Sequence, residues 1–207
     1  MKHLLLFTLL FSFAIANAHS SGYVKQDFEI PRFPPAGWST INIKGTNVWG
    51  RTTAFAHEGT ASAFSSFSFP NKGINYLITK QFTVTVGDSV SFWFAPQYTG
   101  YTDSLYVQVS TTHTSPKDFT TIATYYDGYN YPPAAGIWQR VALSLSAFAG
   151  QKIYVAFKHV DIDGDGIFID DVALGTPPAA DIKAVSIDVP SILNAGTTIA
   201  PKCLFRI

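Results

Sequence analysis

The sequence predicts an all-β chain folded as a sandwich of two antiparallel sheets, and three observations carry that prediction. Hydrophobic residues make up 47% of the 207 residues and aromatics 15%, enough apolar surface to bury a core. Fifteen glycines and twelve prolines punctuate the chain, and these are residues that turns use and helix interiors avoid. From Gly22 onward there is no long amphipathic helical pattern. Short runs of period two recur between turn residues instead.

The elements follow in order. PRFPPAGW, Pro31 to Trp38, carries three prolines and must be a loop. YLITKQFTVTV, Tyr76 to Val86, reads as strand and is closed by the turn pair Gly87-Asp88. SVSFWFAPQY sets Val90, Phe92 and Phe94 on one face against Ser89, Ser91 and Trp93 on the other. SLYVQVSTT alternates Leu105, Val107 and Val109 against Tyr106, Gln108 and Ser110. Pro116 in HTSPKDFTTI separates that strand from FTTIATYY. WQRVALSL is the next strand, LSAFAGQ a single helical turn or a wide corner. KIYVAFKHV places Ile153, Val155 and Phe157 on one face, and GIFIDDVALG ends the series.

Composition also bounds function. Fourteen basic and fourteen acidic residues give zero formal charge, which excludes the electrostatic footprint of a nucleic-acid binder. The first eighteen residues run from Lys2 through the apolar stretch Leu4 to Ile15 to the small-x-small ending Ala16-Asn17-Ala18. This is the pattern of a secretory signal peptide cleaved after Ala18, and the apolar stretch is short for a bilayer span. An exported chain with no membrane span is therefore expected. A lone cysteine, Cys203, allows no internal disulfide. After Leu174 the character changes: residues 175–180 read as a Pro/Ala linker, and 181–207 restart an alternating pattern too short to close a sandwich.

DFEIPRFPPAGW, HEGTASA, DSLYVQVSTT, WQRVALSLSAFAGQKIYVAFKH and DGDGIFIDDVAL occur in that order. The ordered set resembles the cleaved-adhesin domains of gingipain-type surface proteins, also called choice-of-anchor J domains, which look like relatives of MAM domains and jelly-roll carbohydrate-binding modules. The likeness covers roughly Asp27 to Leu174 and implies a jelly-roll sandwich over residues 22–174. DIKAVSIDVPSILNAGTTIAP resembles the opening of a CARDB-type Ig-like domain, so 181–207 is expected to be its truncated start. The type IX sorting domain that often ends such proteins has no match here.

The most acidic run, DIDGDGIFIDDVAL, raises the question of metal chemistry. Asp161, Asp163 and Asp165 have the one-three-five spacing of an EF-hand loop with Gly166 at position six, but Val172 stands where the bidentate Glu belongs. An acidic, Gly-rich hairpin turn is the plainer reading. Asp170 and Asp171 lie inside an apolar strand, where alternation would send them to opposite faces and aim one at the core. A bare carboxylate there costs several kcal/mol (about 3–5 where a pair is broken), so it must be hydrogen-bonded, paired or metal-bound. The resemblance implies a structural calcium held by an early Glu and a late Asp. Here that gives Glu29 with Asp170 and Asp171, and Glu58 or backbone carbonyls of the HEGTASA turn in support. Carboxylates on opposite faces would not serve one glycosidase substrate. There is no Gly-x-Ser-x-Gly elbow, and His57, His113 and His159 lack metal-ligand spacing.

Tyr98, Tyr101, Tyr129 and Tyr131 fall in two loops, APQYTGYTD and YYDGYNYPP, beside Asp and Asn. Such residues suit stacking on a sugar or contact with a protein, and equally suit loop packing. The expectation is an exported, monomeric, non-catalytic adhesin-like module with structural calcium, meeting a host protein or glycan at the cell surface. The alternative is a carbohydrate-binding module of a secreted degradative enzyme, and a hydrolase is a weaker rival.

Overall fold

A computed structural model describes residues 22–68, 72–100, 103–126, 128–161, 166–177, 183–188 and 202–206. The strands in chain order are β1 (Val24–Gln26), β2 (Ser39–Lys44), β3 (Gly50–Thr52), β4 (Ser62–Ser65), β5 (Gly73–Ile78), β6 (Phe82–Thr83), β7 (Ser89–Pro96), β8 (Ser104–Ser110), β9 (Thr120–Tyr126), β10 (Gln139–Ser144), β11 (Lys152–Asp161), β12 (Ile167–Gly175), β13 (Lys183–Asp188) and β14 (Lys202–Arg206). The helical pieces among the described residues are two 3-10 turns, Pro116–Asp118 and Ser146–Phe148. They sit at the proline break and the corner that the sequence marks.

Two sheets form the sandwich. One has the order β10-β7-β12-β4-β3 with β1 added to β12; the other has β2-β5-β11-β8-β9 with β6 added to β11. Every pairing is antiparallel. The alternation read from the sequence decides what faces inward. Val90, Phe92 and Phe94 of β7 meet Leu105, Val107 and Val109 of β8 and Ile153, Val155 and Phe157 of β11 in one buried cluster. Phe92 packs edge-on to Phe157 with ring centroids 4.9 Å apart. Burying such side chains contributes about 1.5–3 kcal/mol each, which offsets the entropy of ordering the strands.

The interior turns polar at one end. The inward series on β11 continues as His159 and Asp161, and Asn75 of β5 pairs directly with His159. All three are buried. Ser68 donates its backbone N–H to Asp161 Oδ2 at 2.5 Å, and His159 Nδ1 lies 2.9 Å from Ser65 Oγ. Asp161 is therefore a strand residue facing the interior. β11 and β12 do not pair as the hairpin read from the sequence, because they belong to different sheets. Residues 162–165, with Asp163 and Asp165, lie outside the described residues.

The proline-rich loop 31–38 and the Gly87-Asp88 turn are where the sequence puts them. Asp88 accepts hydrogen bonds from the Thr85 amide and hydroxyl, and its other oxygen accepts one from Thr176 Oγ1. YLITKQFTVTV is split into β5 and β6. Gly175, taken as the first linker residue, is the last residue of β12 and pairs with Ser89. β13 and β14 pair with each other as a separate two-stranded sheet. Residues 1–18 lie outside the described residues, and among those described no helix is long and apolar enough to cross a membrane.

Candidate functional site

β12 carries the two acidic residues that the sequence singles out, and its geometry departs from simple alternation. Asp170 pairs with Trp93, yet Ala173 pairs with Ser91. Three residues on β12 thus match two on β7, which is a β-bulge. Asp171 has φ 48°, a left-handed conformation that Asp tolerates better than branched residues do. The extra residue resets the phase. Ile169 and Val172 both join the core cluster, and neither Asp faces it. The expected placement on opposite faces is therefore corrected: both carboxylates meet the same residue, His57, of the loop that crosses this sheet.

Three of the four predicted carboxylate residues converge on that loop. His57 donates its backbone N–H to Asp170 Oδ2 at 2.9 Å, and the Asp171 amide donates to Asp170 Oδ1 at 2.8 Å. His57 Nδ1 donates to Asp171 Oδ2 at 2.8 Å, while Lys25 Nζ stands 3.6 Å from Asp171 Oδ1. From the loop after β1, Glu29 accepts the Thr60 amide at 2.8 Å, the Thr60 hydroxyl at 2.7 Å and the Ala61 amide at 3.0 Å. Gly59 lets the loop come this close: its φ is 69°, and a Cβ there would stand 2.3 Å from Glu29 Oε1. Arg51 fixes the approach of Glu29 by donating from Nε to the Phe28 carbonyl and from Nη2 to the Glu29 carbonyl. Glu58 contributes its backbone amide to Asp170, and its residue is exposed.

Burial is the main influence on Asp170, which is fully covered, and pushes its carboxyl up to about 6 against the amides of His57, Asp171 and Glu58. Glu29 is held below the ordinary carboxylate value, first by the Thr60 hydroxyl and then by the amides. The donor set has the chemistry of a calcium site, since all three groups offer hard oxygens. Its aim is different. These oxygens face N–H groups and the Thr60 hydroxyl, and among the described residues no three Asp, Glu, His or Cys side chains form a group that could hold a metal.

His57, which lacks metal-ligand spacing in the sequence, is central to this arrangement. Its ring stacks on Trp93 at 3.9 Å, and Phe55 from the same loop stacks on Trp138 at 5.1 Å. The only advance signal was the placement of His57 at the head of HEGTASA. His113 is exposed and lies 3.5 Å from Asp118; His159 is buried in the interior, as a strand histidine should be.

The tyrosines divide. β7 ends at Pro96, β8 begins at Ser104 opposite Tyr126, and so the loops after β7 and after β9 lie at one end of the sandwich. Tyr98 is 58% exposed and Tyr129 51% exposed. Tyr126 and Tyr129 stack at 5.1 Å, and each donates its backbone N–H to the other's carbonyl. Tyr131 instead packs edge-on against core Phe94 at 5.7 Å, so it anchors the loop. Tyr101 lies outside the described residues.

Comparison with known proteins gives this architecture a family. Residues 25–174 match the model of the Cleaved Adhesin Domain. Hemagglutinin A of Porphyromonas gingivalis is 29% identical over 168 residues, covering 68% of this chain and 8% of the relative. Lys-gingipain W83 of the same organism is 30% identical over 175 residues, covering 73% of this chain and 10% of the relative. The chain thus spans about a tenth or less of the length of these curated relatives. The crystal structure of the K1 cleaved adhesin domain of Lys-gingipain superposes with a TM-score of 0.62 at 26% identity, covering 73% of this chain and 96% of that one. The fold is also that of TmCBM61, solved in complex with β-1,4-galactotriose, at a TM-score of 0.52 and 17% identity over 72% of this chain and 92% of that one. On the family match across its whole sandwich, the chain belongs to the Cleaved Adhesin Domain family.

Proposed function

We propose that the chain is an exported, non-catalytic, monomeric adhesin module that contacts a host glycan or protein at the cell surface through its tyrosine-bearing end. The observation that carries this reading is the stacked pair Tyr126–Tyr129, exposed at the same end as Tyr98 on an adhesin-family sandwich. The mutual backbone hydrogen bonds hold the pair in place before any ligand arrives, so little ordering entropy is lost on contact. Aromatic rings of this kind suit both sugar faces and protein hot spots. The carbohydrate-binding-module reading shares the surface and draws on the fold likeness to TmCBM61. A glycan array beside a panel of host matrix proteins separates the two, with Tyr129→Ala reporting whether this end is used.

Structural calcium at the β12 end is part of the same proposal. What supports it is hard-oxygen chemistry and charge: three carboxylates meet one loop, with Lys25 at 3.6 Å from one of them and Arg51 occupied by carbonyls. The ligands would be Glu29, Asp170 and Asp171, which do not stand as one metal-holding group among the described residues, so binding would require their oxygens to turn from the donors they now face. A bound ion would stabilise the folded state by mass action, about 2.7 kcal/mol at a hundredfold excess over its dissociation constant. Melting in EDTA and in calcium checks this. The proposal expects a rise in midpoint that Asp170→Asn and Glu29→Gln reduce, and an unmoved wild-type melt sinks it.

A further inference from the structure

A cavity of about 310 Å³ opens at the other end of the molecule, between β1 and the proline-rich loop. Three of its lining residues are basic, Lys25, Arg32 and Lys80, and none is acidic. Trp38, Ile30 and Pro35 give it an apolar wall. The location follows from the strand directions. Gly73, at the start of β5, pairs with Asp161 near the tyrosine-bearing end, while Ile78 at its far end pairs with Ala156 and Ser39 and leads to Lys80. Gly37 brings the loop onto Lys80: its φ is 79°, and a Cβ there would stand 3.1 Å from Lys80 Cβ.

The charge is uncompensated. In a chain whose acids and bases balance at fourteen each, Arg32 and Lys80 have no side-chain ion pair or hydrogen bond among the described residues. Lys25 alone has an acid near it, Asp171 at 3.6 Å. Cations left unpaired around a concave, partly apolar wall favour a ligand that brings an anion and an apolar face together. The volume lies at the small end of the range for compact ligands, about 300–1,000 Å³, so the pocket suits one or two residues at the end of a chain. An elongated groove would suit an extended peptide better.

We infer that this pocket is a second binding site, separate from the tyrosine-bearing end, and that it takes an acidic sugar residue carrying a carboxylate or sulfate. Arg32 and Lys80 hold the anion, Arg32 with the planar fork that matches a carboxylate. Ile30 covers the ring, and the small exposed part of Trp38 lines the wall beside it.

The test uses the full chain against an array of uronic-acid, sialic-acid and sulfated oligosaccharides beside their neutral parents and a set of acidic peptides. Acidic sugars should bind in preference to the neutral parents, and more weakly as ionic strength rises. Both side chains are exposed, so Arg32→Ala with Lys80→Ala should melt like the wild type. It should lose at least about tenfold in affinity for the acidic sugar, a loss expected for removing two charge-assisted contacts. Equal binding of the neutral parents overturns the inference, as does full affinity in the double variant. Binding of acidic peptides with no acidic-sugar signal also overturns it, because the occupant is then a protein segment. If Tyr129→Ala abolishes the signal and the basic pair does not, the ligand sits at the opposite end and the pocket has been misassigned.

Discussion

At the scale of single residues, Asp170 shows how a carboxylate is kept inside a sheet protein. It is fully buried, yet both oxygens accept amide protons, from His57 and Asp171. That is the hydrogen-bonded solution to the burial problem the sequence raised, and the apolar context of IFIDDVAL was enough to raise it. The direction of the two side chains was not legible, because the alternation argument assumes a regular strand and Asp171 breaks it. Asp170 also makes a pH prediction. Its carboxyl ordinarily titrates at 3.8 and here at about 6. Folding therefore favours the protonated form, and stability falls as pH rises from about 4 through 6. In EDTA, the stability of the wild type relative to Asp170→Asn should decline from pH 4 to pH 7 in urea titrations. A wild-type advantage that grows over that window would contradict the assignment.

At the scale of elements, β12 organises the site. Its first half pairs with β4 and its second half with β1, while β7 runs along its whole length. The bulge lets one strand serve the core on both sides of the break, with Ile169 before it and Val172 and Leu174 after it. Deleting Asp171 would remove the bulge and restore regular alternation, which leaves Ile169, Val172 and Leu174 on the core face; what is lost is the contact of Asp171 with His57 and Lys25. We expect a loss of about 1.5–3 kcal/mol in denaturant unfolding, the amount for a hydrogen bond to a charged group. Asp171→Gly, which removes the same contacts, keeps the bulge and suits φ 48°, should cost about as much; a deletion loss larger by about 3 kcal/mol, as if two core side chains had turned outward, would contradict this register. Strands β7, β8 and β11 were legible because each is long and alternates regularly, and β12 because it is a long apolar run. β1 and β3 are three residues each and β4 four, too short to show a period of two. They exist because tertiary pairing with longer neighbours supports them.

At the scale of the whole molecule, the sandwich was legible from turn spacing and alternation. The convergence of Glu29 and β12 on the His57 loop was legible only through the family resemblance, because it joins residues more than a hundred positions apart. Among the described residues the two-stranded sheet of β13 and β14 has no strand pairing to the sandwich, and isolated two-stranded sheets are marginal in water. Deleting residues 181–207 should shift the thermal midpoint of the sandwich by less than about 2 °C, under about 1 kcal/mol for a domain of this size. A large drop would place the tail within the cooperative unit. The central claim, that the tyrosine-bearing end is a contact surface for binding, is tested most directly by surface-immobilised glycans and matrix proteins probed with the wild type and Tyr129→Ala. The wild type should bind at least one of them. Truncating Tyr129 should then lower that affinity by at least about fivefold, roughly the 1 kcal/mol expected of an aromatic contact, with the melt unchanged. Undiminished binding by Tyr129→Ala to every partner the wild type recognises would contradict it.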